Sequence, residues 1–395
     1  MEGYEVMENL KTKSLIPILI ALPSFGLGLT WNMKSTILPL LVKTVTTSNL
    51  KLGLLAAAGP VAGIIFPYLS GVISDRTNLK MGKRKPWMLL GGILGAIFLI
   101  ILGLSKEYII MFISAFGVYA SFNFFQGSYY AWIPEAVEEN QIGKVNGLGK
   151  LFYSLGGMLF FLLGVSLFHK NKEFPFILIL LAVLIPITIS TTLVKEDDSN
   201  FRKPSKLSFD FLKNSSAMRV FLGAFFFYIA YGLITPFWIP YYEKALKFTS
   251  NEISLALIGF TFTGLILSIV VGLWCDKWNK QYIFLIATLI YIIAFIIGWD
   301  VKGLVMLWIF ALLSGVAFVI FQVVFYSLIP VVAPKEKLGE YMGINNIFLC
   351  IPQIISSLLG GYLLTINKGI FIFPISIISL IIGAIIIGYK RLKTN

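Results

Sequence analysis

Apolar runs long enough to cross a bilayer recur along almost the whole 395-residue chain. They fall at about 15–42, 52–74, 87–105, 108–133, 148–168, 174–194, 219–242, 253–275, 281–299, 303–329, 341–366 and 370–389. Asp300 and Lys302 mark the short break between the ninth and tenth. A helix needs about 20 apolar residues to span the hydrocarbon core, so the pattern predicts twelve spans. Lipid offers no water to backbone N–H and C=O groups, which forces such runs to be helical. Only 13% of residues are charged, against about 25% in a soluble chain. The predicted class is an all-α, multi-pass membrane protein.

The net charge of +13 follows the same topology. With the N-terminus inside, 22 lysines and arginines fall on cytoplasmic segments and nine on outer loops, while Lys34 lies within a span. This asymmetry places both termini in the cytoplasm, so the basic balance needs no nucleic acid. The first run is too long for the core of a cleavable signal. Cys275, Cys350 and His169 are too few and too far apart for a disulfide framework or a zinc site. No cofactor or metal is implied, and the shortage of histidine argues against a hydrolase.

The chain repeats itself. Gly71-x-x-x-Asp75-Arg76 follows the second run, and Gly272-x-x-x-Asp276-Lys277 follows the eighth. The fourth run ends Gln126-x-x-x-Tyr130-x-x-Ile133-Pro134, with Gly143 and Gly147 beyond. The tenth ends Gln322-x-x-x-Tyr326-x-x-Ile329-Pro330, with Gly339 and Gly343 beyond. Matches in order at equivalent runs point to a duplicated six-helix unit, a recurring transporter design. The predicted organisation is a first bundle at 1–194, a cytoplasmic linker at 195–218 and a second bundle at 219–395. The linker carries the acidic cluster Glu196–Asp198 among several basic residues.

The loop from Gly71 through Asp75-Arg76 to Gly82-Lys83-Arg84-Lys85-Pro86 resembles the signature loop of the major facilitator superfamily. Its long gap before Gly82 is similar to one branch, that of sucrose/proton symporters and glycoside–pentoside–hexuronide cation symporters. Gly59-Pro60-x-x-Gly63, Gln126-Gly127 with Pro134-Glu135, and Tyr341-Met342-Gly343-Ile344-x-Asn346 with Ile351-Pro352-Gln353 also resemble sucrose transporters. The resemblance covers nearly the whole chain. It implies the two-bundle transporter fold, and helices 1, 4, 7 and 10 around a central cavity. It also implies a state-dependent cytoplasmic latch, carried over to Asp75, Arg76 and Arg84, with Asp276 at the repeat position. The competing reading of Arg76–Lys85 is a basic loop that only sets topology.

Candidate substrate contacts are aromatic and amide side chains, which stack on sugar rings and exchange hydrogen bonds with hydroxyls. These are Trp31, Asn32, Asn123, Gln126, Tyr130, Tyr228, Tyr231, Gln322, Tyr326 and Asn346. Asn123 and Gln126 share a helical face, as do Tyr228 and Tyr231. Amides can equally join helices in lipid. Lys34 is the charged candidate, because a lysine at depth costs several kcal/mol unless water or a partner meets it. It either contacts substrate or titrates, or its side chain snorkels to the outer interface. No carboxylate falls mid-span, so the acidic cation-coupling positions expected from the resemblance are absent. Gly156-Gly157, Gly360-Gly361 and several span prolines offer bending points, or are ordinary membrane-helix composition.

The reading is therefore a secondary transporter of the plasma membrane, multi-pass and monomeric among its lipids, not an enzyme. It moves a small molecule, a sugar or glycoside, by alternating access, with proton symport or uniport open. The alternatives are an organic-anion transporter or uniporter with Lys34 as counter-charge, and a transporter-fold sensor.

Overall fold

The computed structural model describes residues 15–77, 79–137, 139–194, 210–334 and 338–392. It is all-α. Helix α1 (Leu15–Met33) continues after a break as a short extension, Ile37–Lys43. Next come α2 (Asn49–Asp75), α3 (Lys85–Leu104), α4 (Tyr108–Ala136), α5 (Glu139–Lys170) and α6 (Phe174–Leu193). The second set is α7 (Ser215–Leu246), α8 (Ser250–Lys277), α9 (Lys280–Trp299), α10 (Leu304–Val332), α11 (Leu338–Thr365) and α12 (Ile372–Gly388). Among the described residues, eleven helices are long and apolar enough to cross a membrane, all of these but α8. The remaining predicted run, 253–275, falls within the 28-residue α8. Residues 195–209 of the expected linker lie outside the described residues, and Asp210–Lys213 form a 3-10 turn.

Local chemistry sets the helix starts. The Ser48 hydroxyl accepts from the Lys51 N–H at the start of α2. Thr249 and Glu252 form a reciprocal capping box at the start of α8. Pro86 and Pro175 open α3 and α6, where a missing N–H costs nothing.

The packing repeats. In the first half the main pairs are α1–α5, α1–α6, α2–α4, α3–α4 and α3–α6. In the second they are α7–α11, α7–α12, α8–α10, α9–α10 and α9–α12. These are the same five pairs, shifted by six helices. Between halves, the main contacts are α2–α11 and α5–α8, which exchange under the same shift.

Both opening helices are interrupted at matching places. In α1 the Thr36 hydroxyl donates to the Asn32 carbonyl at 3.0 Å, and helix resumes only at Ile37. In α7 the Thr235 hydroxyl donates to the Tyr231 carbonyl at 2.5 Å, and a 3-10 turn, Thr235–Phe237, follows around Pro236. A hydroxyl bonded back one turn bends a helix, and proline removes a donor. Hydropathy shows neither break, and both runs read as continuous in sequence. Irregular backbone at membrane depth is tolerated where protein or a cavity covers it.

The two double-glycine steps serve contact rather than bending. Helices α5 and α11 run unbroken through Gly156-Gly157 and Gly360-Gly361. A Cβ on Gly156 would collide with the Phe25 carbonyl of α1, and one on Gly360 with the Phe237 ring of α7. Small residues permit this closeness between membrane helices.

Candidate functional site: a central cavity

A cavity of about 600 Å³ lies between the two halves. All eleven candidate contacts line it: Trp31, Asn32, Lys34, Asn123, Gln126, Tyr130, Tyr228, Tyr231, Gln322, Tyr326 and Asn346. The helix breaks adjoin two of them, since Asn32 and Tyr231 are the residues whose carbonyls accept the bending hydroxyls.

The walls have two characters. On the first half, Trp31 stacks on Tyr119 with ring centroids 5.8 Å apart and an 18° interplanar angle. On the second, Tyr231 stacks on Phe318 at 4.6 Å and 15°, with Tyr228 edge-on at 5.9 Å. Such rigid aromatic faces suit the C–H surfaces of a ring-shaped solute. The amides divide their work. Asn32 donates to the Gly28 carbonyl at 2.7 Å and Asn123 to the Tyr119 carbonyl at 2.9 Å, each within its own helix. Gln126 donates to the Tyr130 hydroxyl at 2.9 Å. Asn346 of α11 donates across the halves to the Gly63 carbonyl of α2 at 2.6 Å. That contact is interhelical, the use of an amide that competes with substrate binding.

Lys34 sits in the α1 break, only 6% exposed, on the cavity wall. Its ammonium has no ion pair or hydrogen bond among the described residues. Snorkelling to the outer interface would have left it open to solvent there. A second lysine joins it. Lys150, counted above with the cytoplasmic segments, lines the same cavity, so Lys34 is not the one charge at depth. Helix α5 starts at Glu139, nine residues before the apolar run does, which puts Lys150 about 16 Å along the helix. Its ammonium donates to Gln322 Oε1 at 3.0 Å across the halves and lies 5.6 Å from the Tyr153 ring centre. Among the described residues, no aspartate or glutamate lines the cavity. Sequence reasoning also missed Phe260, Thr261 and Phe318, whose apolar setting gives no signal that they face inward. Trp238 is buried against Phe310 and does not line the cavity.

The cavity is closed at one end and open at the other. Toward the far end, that of loops 44–48 and 247–249, the halves touch directly. The Leu50 N–H donates to the Thr365 hydroxyl at 3.1 Å, and the Ser254 hydroxyl to the Phe161 carbonyl at 2.7 Å. A Cβ on Gly53 would collide with the Ser357 carbonyl, and one on Gly361 would lie 2.6 Å from the Asn49 carbonyl. Lys43 at the tip of the α1 extension pairs with Glu243 of α7. Toward the basic-loop end, Tyr130 and Tyr326 are 51% and 44% exposed although both line the cavity. A Cβ on Gly71 or Gly147 would meet open space. The Lys43–Glu243 pair is half exposed on the lysine side, so it contributes under about 1 kcal/mol. Glu243→Gln is therefore expected to change initial uptake less than about fivefold. A larger loss would show that this pair, rather than helix contact, holds the far end shut.

The basic loop folds onto its own half. Arg84 holds Glu135 of α4 with two hydrogen bonds, 3.0 Å from Nε and 2.8 Å from Nη2. It also reaches Asp75 Oδ1 at 2.5 Å and the Ser74 hydroxyl at 2.6 Å. Lys83 approaches Glu135 at 3.1 Å. Burial works against the Arg84 charge, but bonding to Glu135 and Asp75 outweighs it and holds the guanidinium above its ordinary pKa. Arg76 is exposed, and the Asp276 side chain is not described. Glu135 was noted in the sequence only as part of a motif, and the structure makes it the hub of this cluster.

Known proteins share this architecture. A bacterial homolog of the human lysosomal transporter Spinster, in an inward-facing and occupied conformation, superposes with a TM-score of 0.78 at 12% identity, over 95% of this chain and 96% of that one. The nucleoside transporter NupG gives 0.78 at 13% identity, over 95% and 99%. In sequence, the chain is 24% identical over 163 residues to the general alpha-glucoside permease of Schizosaccharomyces pombe, 35% of this chain and 30% of that one. It is 30% identical over 82 residues to the sucrose transport protein SUT5 of Oryza sativa subsp. indica, 21% and 15% of the two. It is 27% identical over 144 residues to an uncharacterized MFS-type transporter of Methanocaldococcus jannaschii, 36% and 37%. The chain thus matches well under half the length of each of these sequence relatives. The profile of the MFS/sugar transport protein family matches residues 19–366, most of the chain, and the protein belongs to that family of transporters, which are not enzymes.

Proposed function

We propose that this protein carries a sugar or glycoside across the plasma membrane by alternating access. One observation carries the reading. The cavity is walled by stacked aromatics and amides from both halves, closed at one end and open at the other. The bundles 1–194 and 219–395, joined by 195–218, rock about it with the termini and the basic loops in the cytoplasm. The state described here then faces inward. When the open face closes, the cluster of Asp75, Arg84 and Glu135, with Arg76 beside it and Asp276 at the repeat position, acts as the latch. The sequence relatives named for sucrose and alpha-glucosides support the substrate class. With no carboxylate among the described residues that line the cavity, the simplest energetics is uniport.

Purified protein in liposomes would be offered labelled glucosides, with and without an imposed pH gradient. Saturable uptake that equilibrates regardless of the gradient is expected. Gradient-driven accumulation would replace uniport by proton symport, and absence of any sugar movement would sink the sugar reading. Trp31→Ala removes a stacking face of about 0.5–1.5 kcal/mol. It is expected to raise the KM by up to about tenfold, with little change in maximal rate.

A further inference from the structure

We propose that the far end carries a second solute site, a vestibule outside the closing seam that takes a neutral, polyhydroxylated solute only while that end is shut. A cavity of about 780 Å³ opens there between the halves. Ligand pockets span about 300–1,000 Å³, so it is large enough to hold one. It shares no lining residue with the central cavity. The α1 extension, loop 44–48 and the start of α2 form one wall. The end of α7 and the turn after α11 form the other. The state dependence rests on the alternating-access reading above, whereas the site itself rests on the two walls.

The charged side chains of these walls already have partners. Lys43 pairs with Glu243, the Ser250 hydroxyl also donates to Glu243, and Lys244 donates to Asn367 Oδ1. A charged solute would have to compete with those contacts, and a neutral one would not. What the walls offer is amide, hydroxyl and ring. Lys244 takes the Asn367 oxygen, which leaves the amide N–H groups to donate to a solute. The Thr46 hydroxyl accepts from the Ser48 N–H at 3.2 Å, which leaves its own hydrogen to donate. The Tyr241 ring is held edge-on by Tyr242 at 5.0 Å and by Phe373 at 5.3 Å. The turn that carries Asn367 is set as well. Asn367 has left-handed backbone at φ 57°, which asparagine tolerates, and the Lys368 N–H returns to the Leu363 carbonyl at 2.8 Å. Groups fixed before the solute arrives cost less to order on binding.

The floor of the vestibule is the closing seam. Asn49 and Leu52 of α2 line it. The Asn49 carbonyl faces Gly361, and Gly53, next along the chain from Leu52, faces the Ser357 carbonyl. Parting α2 from α11 therefore parts the walls. A solute that binds one state draws the equilibrium toward that state. Solute on the far side then holds the carrier with its far end shut, so a high concentration there slows uptake.

Equilibrium dialysis of the purified full-length protein in detergent, with labelled methyl α-glucoside as the probe, reads how many molecules each chain binds and how tightly. A second molecule is expected beyond the one in the central cavity. Tyr241→Ala and Asn367→Leu are each expected to remove it, and Tyr241→Phe, which keeps the ring, to retain it. The molecule that remains in the first two variants shows that they are folded. Trp31→Ala is expected to weaken that remaining molecule by up to about tenfold, which assigns it to the central cavity. Gly53 lines neither cavity, so Gly53→Val reaches the vestibule only through the seam. It is expected to weaken the vestibule molecule more than the central one. A single bound molecule, weakened by Trp31→Ala and by neither vestibule change, would overturn the proposal and leave the sugar reading intact. Gly53→Val weakening both molecules alike would overturn the state dependence. No bound glucoside in the parent would overturn the sugar reading and the vestibule site together.

Discussion

Gly53→Val is expected to reduce transport by about fivefold or more and to leave the far end open. Gly53 sits where α2 meets α11, and a Cβ there would collide with the Ser357 backbone carbonyl. The obstacle is backbone, so no side chain can swing aside. Gly361 presses on the Asn49 carbonyl from the other helix, so α11 has no slack in return. Overpacking of this kind costs about 1–3 kcal/mol. On the alternating-access reading the contact exists only while the far end is closed, so the cost falls on that state and shifts the balance about five- to 150-fold toward the other. The measurement is labelling of a cysteine placed at Leu50 by a membrane-impermeant thiol reagent, with the native cysteines replaced. Faster labelling with lost uptake is the expected pair of results. Unchanged labelling and normal uptake would mean that α2 and α11 do not form the closing seam.

Arg84→Ala is expected to destabilise the first half by about 3 kcal/mol, the scale for breaking one partner out of a buried ionic cluster. Its guanidinium answers two carboxylates, Glu135 at 2.8 Å and Asp75 at 2.5 Å, and also caps the Ser74 hydroxyl. After the change, Lys83 still faces Glu135, but Asp75 loses the partner named here. Arg84→Lys is expected to recover only part of the loss, since one ammonium cannot reproduce the two-pronged contact with Glu135. Thermal unfolding in detergent checks this directly. A midpoint within a degree of the parent for Arg84→Ala would show that the loop is only a topological signal.

Much of this was legible in the sequence, for identifiable reasons. Lipid enforces helices, so run lengths yield the spans, and the paired motifs at Gly71 and Gly272, and at Gln126 and Gln322, announce the duplication. Amides and a lysine inside apolar runs are costly enough to point inward, which is why the sequence singles out Asn32, Lys34, Asn123 and Gln322, and all four line the cavity. The misses have equally physical causes. Phe260 and Phe318 cannot be told from lipid-facing phenylalanines by composition. Lys150 stands at the edge of its apolar run, where a helix extended by polar residues looks like a loop. The breaks after Asn32 and Tyr231 depend on Thr36 and Thr235 hydroxyls, and a hydroxyl bonded to its own helix leaves no trace in hydropathy.

The two lysines of the cavity wall have an electrical side. When an empty carrier of this design turns from one face to the other, Lys34 and Lys150 move within the membrane field with no bound counter-ion. Each elementary charge carried through a full 100 mV changes the energy by about 2.3 kcal/mol, and a partial passage by the corresponding fraction. A potential negative on the basic-loop side therefore draws the vacant cavity toward that side, the orientation seen here. A bound cargo would cancel that pull only if it carried negative charge. On the alternating-access reading proposed above, voltage then acts on the turn of the vacant cavity, and a larger potential negative on the basic-loop side would slow its return to the far side.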